Sequence, residues 1–202
     1  MENSNRIVEC RGGRKVISRR EVYSNEFGRK FFHDETINPD GKRGIYGWTV
    51  IKPGAYALPL DDDGNVHLEL IDQYATSIRS LEVPSGGVEN RDSFLETAKR
   101  ELKEELGITA EEWIDINPYD PMPGAIFSPQ HSYLARKLSF GQHNRESVEL
   151  DMEHVVMPLE QALKAAYRGQ ITDAGSIITI FRADYYLRFY NRKWAIDTLE
   201  KD

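Results

Sequence analysis

Residues 86–108 read GGVENRDSFLETAKRELKEELGI. Two glycines open this stretch and a third, Gly107, nearly closes it. Ser93 followed three residues later by Glu96 has the form of a capping box, in which two otherwise orphaned backbone amides are satisfied reciprocally. Gly107 stands where a helix commonly ends in a left-handed residue. Between them Leu95, Ala98, Leu102 and Leu106 recur at spacings of three and four, so the stretch from Ser93 to Gly107 is expected to be a helix with one buried stripe. Glu101, Glu104 and Glu105 fall beside that stripe, within a sector of about 100° at 3.6 residues per turn. Three carboxylates crowded on one face repel one another. A solvated acidic face with Arg100 and Lys103 as local partners is one reading. The other is a site for a hard cation, because carboxylate oxygens suit Mg²⁺ or Mn²⁺, which in turn bind phosphate oxygens. Gly86 and Gly87 allow backbone geometry that other residues resist and can bring the Ser85 carbonyl beside the acids.

Composition bounds the alternatives. At 202 residues with 40% hydrophobic and 29% charged residues, the chain suits one domain with a small appendage. The net charge of −7 argues against a nucleic-acid partner held by a positive field. It would also repel a phosphate substrate unless a cation intervened. Cys10 is the single cysteine, so neither an internal disulfide nor a cysteine metal cage can form. No apolar run approaches the ~18 residues of a membrane helix, and residues 1–15 lack a signal-length apolar stretch. No membrane association and a cytoplasmic location are the expectation.

Working outward, Ile7–Cys10 and Val16–Ser18 look like short strands, and Asn38-Pro39-Asp40-Gly41 like a turn. Tyr46–Ile51, Ala55–Leu60 and Val66–Ile71 have strand composition, and the last two are expected to pair as a hairpin around Asp61–Asn65. Trp113–Asn117 is mixed in character. Strands are expected at His131–Leu138 and Val148–Met157. Helices follow at Pro158–Arg168, opened by proline and ended by Gly169, and from Ser176 to about Asn191. The order implies an α/β or α+β fold with a mixed sheet covered by helices.

The stretch 86–108 resembles the Nudix box. Gly86, Arg100, Glu101, Leu102, Glu104, Glu105, Gly107 and Ile108 fall in register with that pattern, and Asp92 stands where it has glutamate. The resemblance implies an α/β/α sandwich for residues 45–202, with residues 1–44 as a small β appendage that swaps between subunits of a homodimer. It implies that Glu101, Glu104 and Glu105, with the Ser85 carbonyl, hold Mg²⁺ or Mn²⁺, and that Arg100 orients the glutamates. Gln73-Tyr74, Glu82-Val83-Pro84-Ser85, Pro121-Met122-Pro123-Gly124 and Gly169–Ile177 resemble the ADP-ribose pyrophosphatase branch. From that likeness Arg79, Glu82, Gly87 and Pro123 are expected substrate contacts. Ala75 departs from the arginine usual after Gln-Tyr, and Arg79 is its expected substitute. The general base is expected among Glu146, Glu149 and Glu153. Phe27, Phe31 and Tyr46 are the aromatic residues available for an adenine wall. The expected activity is hydrolysis of a nucleoside diphosphate derivative, with ADP-ribose giving AMP and ribose 5-phosphate. The alternatives are another nucleotide sugar or dinucleotide, or a module that senses a nucleotide without cutting it.

Overall fold

The computed structural model describes residues 7–89, 91–145 and 151–190. The chain divides into two compact units. One is Met1–Lys52 with Asp120–Pro129, and the other is Pro53–Tyr119 with Gln130–Asp202.

The first unit is a five-stranded sheet in the order β1 (Glu9–Arg11), β2 (Arg14–Ser24), β3 (Lys30–Ile37), β4 (Arg43–Val50) and β10 (Ile126–Phe127). β1 to β4 form an antiparallel meander, and β10 adds in parallel to β4. Gly12 and Gly13, both at positive φ, make the tight connection from β1 to β2. The Asn38–Gly41 turn forms as expected, closed by a bond from the Gly41 amide to the Asn38 carbonyl. The 44/45 position falls inside β4.

In the second unit, β8 (Ser85–Gly87), β5 (Gly54–Pro59), β11 (Gln130–Phe140) and β9 (Ile108–Tyr119) form a mixed sheet in that order. β5 and β11 run parallel, while β8 and β9 are antiparallel to their neighbours. Alternate side chains leave opposite faces of a strand. Ala55, Ala57, Tyr133 and Ala135 pack on one side with Ala98, Leu102 and Leu106 of α1 (Phe94–Leu106). Leu58 and Leu134 pack on the other with α2 (Leu159–Tyr167) and α3 (Ala174–Phe189). A helix layer on each face makes this an α/β/α sandwich. A second sheet, β12 (Glu153–Pro158), β6 (Asn65–Gln73) and β7 (Ile78–Glu82), contributes Val66 and Leu68 to the α2 and α3 core. Among the described residues no helix is long and apolar enough to cross a membrane.

Two expectations need correction. The Asp61–Asn65 turn forms, but it does not close a hairpin: β5 and β6 belong to different sheets, joined by a single bridge between Leu60 and Val66. Trp113–Asn117, mixed in composition, lies within strand β9, where residues 113–115 pair with β11 and a register shift follows. The expected strand 148–157 begins at Glu153, with residues 148–150 outside the described residues.

Candidate functional site

Helix α1 starts as its sequence dictates. The Ser93 hydroxyl accepts from the Glu96 amide at 3.2 Å, and the Glu96 carboxylate accepts from the Ser93 amide at 2.7 Å. It ends at Gly107 with φ 67°. That register turns Ala98, Leu102 and Leu106 into the core and fixes where the acids point. Glu101 and Glu105 are 9% and 4% exposed, whereas the Glu104 side chain is 37% exposed. Carboxylates this deep persist only where charge or hydrogen bonds offset lost hydration.

Arg100 supplies much of that compensation. Its Nη2 lies 2.7 Å from Glu101 Oε1 and its Nη1 2.9 Å from Glu104 Oε2. Nη2 also reaches the Gly87 carbonyl at 3.3 Å, and Nε is 3.9 Å from Asp92. Burial disfavours the Arg100 charge, but the pull of Glu101, then Glu104, outweighs it, so the guanidinium holds its proton more firmly than usual. Glu105 Oε2 accepts from the Ser85 amide at 3.2 Å. The strand β8 and the last two turns of α1 are thereby knitted together.

The approach of β8 to the helix depends on Gly86. A Cβ there would meet Glu101 Oε1 at 1.8 Å. Serine, two glycines and three glutamates thus lie together, and the donor set is entirely oxygen, which fits a hard divalent cation. Among the described residues no three His, Cys, Asp or Glu side chains converge at metal-ligand spacing. Glu101 and Glu104 are instead turned to Arg100.

The other expected contacts are distributed. Glu82 is buried, accepts from Gln73 Nε2 at 3.1 Å, and burial raises its pKa. Gly87 pairs with Gly54 in the β5–β8 ladder. Arg79 is held by acids: Asp72 Oδ2 lies 3.3 Å and Glu153 Oε1 2.5 Å away, and the Asp151 carbonyl accepts at 3.3 Å. Glu146 and Glu149 lie outside the described residues. His131 is structural in its contacts, 2.7 Å from Asp115 and stacked on Tyr133.

Pro123 belongs to the first unit, where it lines a cavity of about 350 Å³ with Tyr46 and Trp48. Tyr46 also donates to the Gly124 carbonyl. Phe27 is exposed, and Phe31 packs toward Gly47. Trp48 was not singled out in the sequence, where it resembles any core aromatic in an apolar run. Its surroundings are polar: Arg11 lies 3.8 Å from the ring centroid, and the indole donates to Asp34 at 3.1 Å.

Comparison with known proteins adds an independent line. Residues 50–175 match the NUDIX domain family. An ADP-ribose pyrophosphatase of Mycobacterium tuberculosis (strain ATCC 25618 / H37Rv) is 31% identical over 170 residues, covering 82% of this chain and 81% of the relative. An ADP-ribose pyrophosphatase of Bacillus subtilis (strain 168) is 29% identical over 171 residues, covering 82% and 90%. The crystal structure of an ADP compounds hydrolase shares the fold, with a TM-score of 0.76 at 18% identity over 87% of this chain and 94% of that one. With the matched region spanning more than half its length and the acidic helix seated against its glycine loop, this chain belongs to the Nudix family and is a hydrolase of the Nudix pyrophosphatase type.

Proposed function

We propose that this enzyme hydrolyses ADP-ribose to AMP and ribose 5-phosphate, with Mg²⁺ or Mn²⁺ held by Glu101, Glu104, Glu105 and the Ser85 carbonyl. Nudix hydrolases generally work with divalent metal ions. The observation that carries the reading is that two buried carboxylates of α1, Glu101 and Glu105, meet Ser85–Gly87, with Glu104 joined to Glu101 through Arg100. The substrate follows from two relatives named as ADP-ribose pyrophosphatases, each covering most of this chain.

A divalent cation held by these residues would offset charge on the diphosphate oxygens and lower the pKa of the attacking water. The protein's own part is positional. Arg100 fixes Glu101 and Glu104, the Ser85 amide fixes Glu105, and Gly86 lets the loop approach. A carboxylate must take the proton of the water that attacks phosphorus, while the bridging oxygen leaves with the second phosphate. Glu153 is tied to Arg79. Glu146 and Glu149 are therefore the proposed acceptors. The enzyme is taken to act in the cytoplasm as a homodimer with residues 1–44 exchanged, and gel filtration at twice the 23.2 kDa chain mass is the expected result.

The test is product release from ADP-ribose, other nucleotide sugars and dinucleotides, with and without Mg²⁺. Metal-dependent AMP release from ADP-ribose, above the rest of the panel, is expected. Preference for another compound replaces the substrate and keeps the chemistry. Nucleotide binding without turnover of any compound would overturn the catalytic assignment.

A further inference from the structure

An α-helix leaves its last four carbonyls without intrahelical partners. In α1 these belong to Lys103, Glu104, Glu105 and Leu106. Lys103 is satisfied locally, by the Gly107 amide at 3.0 Å. Glu104 and Glu105 are satisfied from far along the chain. The Asn144 amide donates to the Glu104 carbonyl at 2.8 Å. Arg145 Nε donates to the Glu105 carbonyl at 2.8 Å, across 40 residues. The Gly141 amide binds the Gly107 carbonyl at 2.8 Å and brings this segment alongside.

The other end of the Arg145 guanidinium is anchored too. Its Nη1 donates to the Met152 carbonyl at 2.5 Å. Met152 is 4% exposed and packs in the same core as Leu102 and Leu106 of α1. Arg79 holds the residues on either side, through the Asp151 carbonyl and the Glu153 carboxylate. One planar guanidinium thus spans the acidic turn of α1 and a fixed point at the start of β12. Its charge also stands at the negative end of the helix dipole.

We propose that Arg145 is a positioning residue for the diphosphate-cleaving site: it sets the last turn of α1, and with it Glu104 and Glu105, against the rest of the second unit. This rests on the assignment of those glutamates above. Arg145 acts through the backbone carbonyls of Glu105 and Met152. The brace needs two donors pointing in different directions from a rigid plane, which lysine cannot supply.

The full-length wild type, Arg145→Ala, Arg145→Lys and Glu105→Gln are compared. Mn²⁺ binding without substrate is read by electron paramagnetic resonance, with kcat, KM for ADP-ribose, and Tm measured alongside. Arg145→Ala is expected to weaken Mn²⁺ binding by roughly 10–100-fold, the range usual for residues supporting a metal site, and to lower kcat with KM within about threefold. Arg145→Lys should resemble Arg145→Ala. Wild-type Mn²⁺ affinity in Arg145→Ala, with only Tm lowered, overturns the proposal. So does full recovery in Arg145→Lys, which would reduce the role to charge. If Arg145→Ala does not fold, Arg145→Lys decides by the same criterion. Glu105→Gln binding Mn²⁺ as tightly as wild type overturns the site assignment and the proposal with it. Glu105→Gln weakened and Arg145→Ala unchanged overturns the proposal alone.

Discussion

Asp34 in the first unit and the acids of α1 in the second are both carboxylates met by arginine, and the two places balance differently. Asp34 is 2% exposed, and Arg19 grips it with Nε and Nη2, each at 2.8 Å, while the Trp48 indole adds a third donor. Burial alone would raise its pKa, but Arg19 and then the indole carry it below the usual carboxylate range. Arg19 is itself shared, since its Nη2 also lies 2.6 Å from Glu9, and Arg11 stands 3.8 Å from that glutamate. Two arginines thus meet two acids there, whereas on α1 the guanidinium of Arg100 reaches Glu101, Glu104 and Asp92, and Glu105 beside them accepts from a backbone amide. Buried charges are tolerated when geometry and hydrogen bonding are matched. The Asp34 site matches arginines to acids within one sheet, and the α1 site gathers three glutamates on one stretch of helix. The first arrangement holds a fold together; on the function proposed above, the second would receive a cation and a diphosphate.

The sharpest way to break this contrast is Glu105→Gln. Glutamine keeps an oxygen for the Ser85 amide, so Tm should hold, while turnover should fall by more than the roughly 10–100-fold typical of supporting residues. Near-normal kcat would remove Glu105 from the chemistry and make the α1 acids as structural as Asp34. The converse variant, Asp34→Ala, should cost about 2 kcal/mol in urea unfolding, because it removes the bidentate partner of Arg19, which keeps only Glu9, and leaves the indole donor unpaired, yet leave Mn²⁺ binding unchanged. Stability within error of wild type would sink the structural reading of Asp34.

A smaller effect tests a third kind of polar pair. His67 Nδ1 and His154 Nε2 are 2.9 Å apart, with Asp61 3.4 Å from the other His67 nitrogen. Burial lowers the His67 pKa against the pull of Asp61. Burial, His67 and Arg145 lower that of His154. Both rings are thus favoured neutral in the folded state, whereas the unfolded chain binds protons near pH 6.5. The sign follows: stability is full above that pH and declines as pH falls below it. Thermal melts from pH 8 down to pH 5 should show that decline, reduced in His67→Gln; an identical slope in the variant would remove the pair as its source.

Helix α1 was legible because its signals are local. Ser93, Glu96 and Gly107 mark its ends, and the stripe sets its register, which also orders the acids. The β5–β6 pairing was misread because the same Asp61–Asn65 turn serves a hairpin or a change of sheet. The choice lies with β11, which aligns with β5 from residue 130 onward. Strand β9 was obscured by Pro118 and by Asn117, whose φ of 78° interrupts a regular pattern. Arg145 left no local trace, since the carbonyls it binds could belong to any residue. Trp48 gains its character from Arg11, Arg19 and Asp34, each on a different strand. The placing of Glu101, Glu104 and Glu105 on one helix near Ser85 and Gly86 was therefore legible in the sequence, whereas the contacts made from distant segments were not.

Gly86 acts as a gauge. The missing methyl group is the clearance that separates loop backbone from the Glu101 carboxylate, so the spacing of oxygen donors is set by a steric limit as well as by charge. That clearance is a property of the backbone and does not depend on charge. On the metal site proposed above, a preference among cations of different radius would have a mechanical component, written into the backbone at a single position.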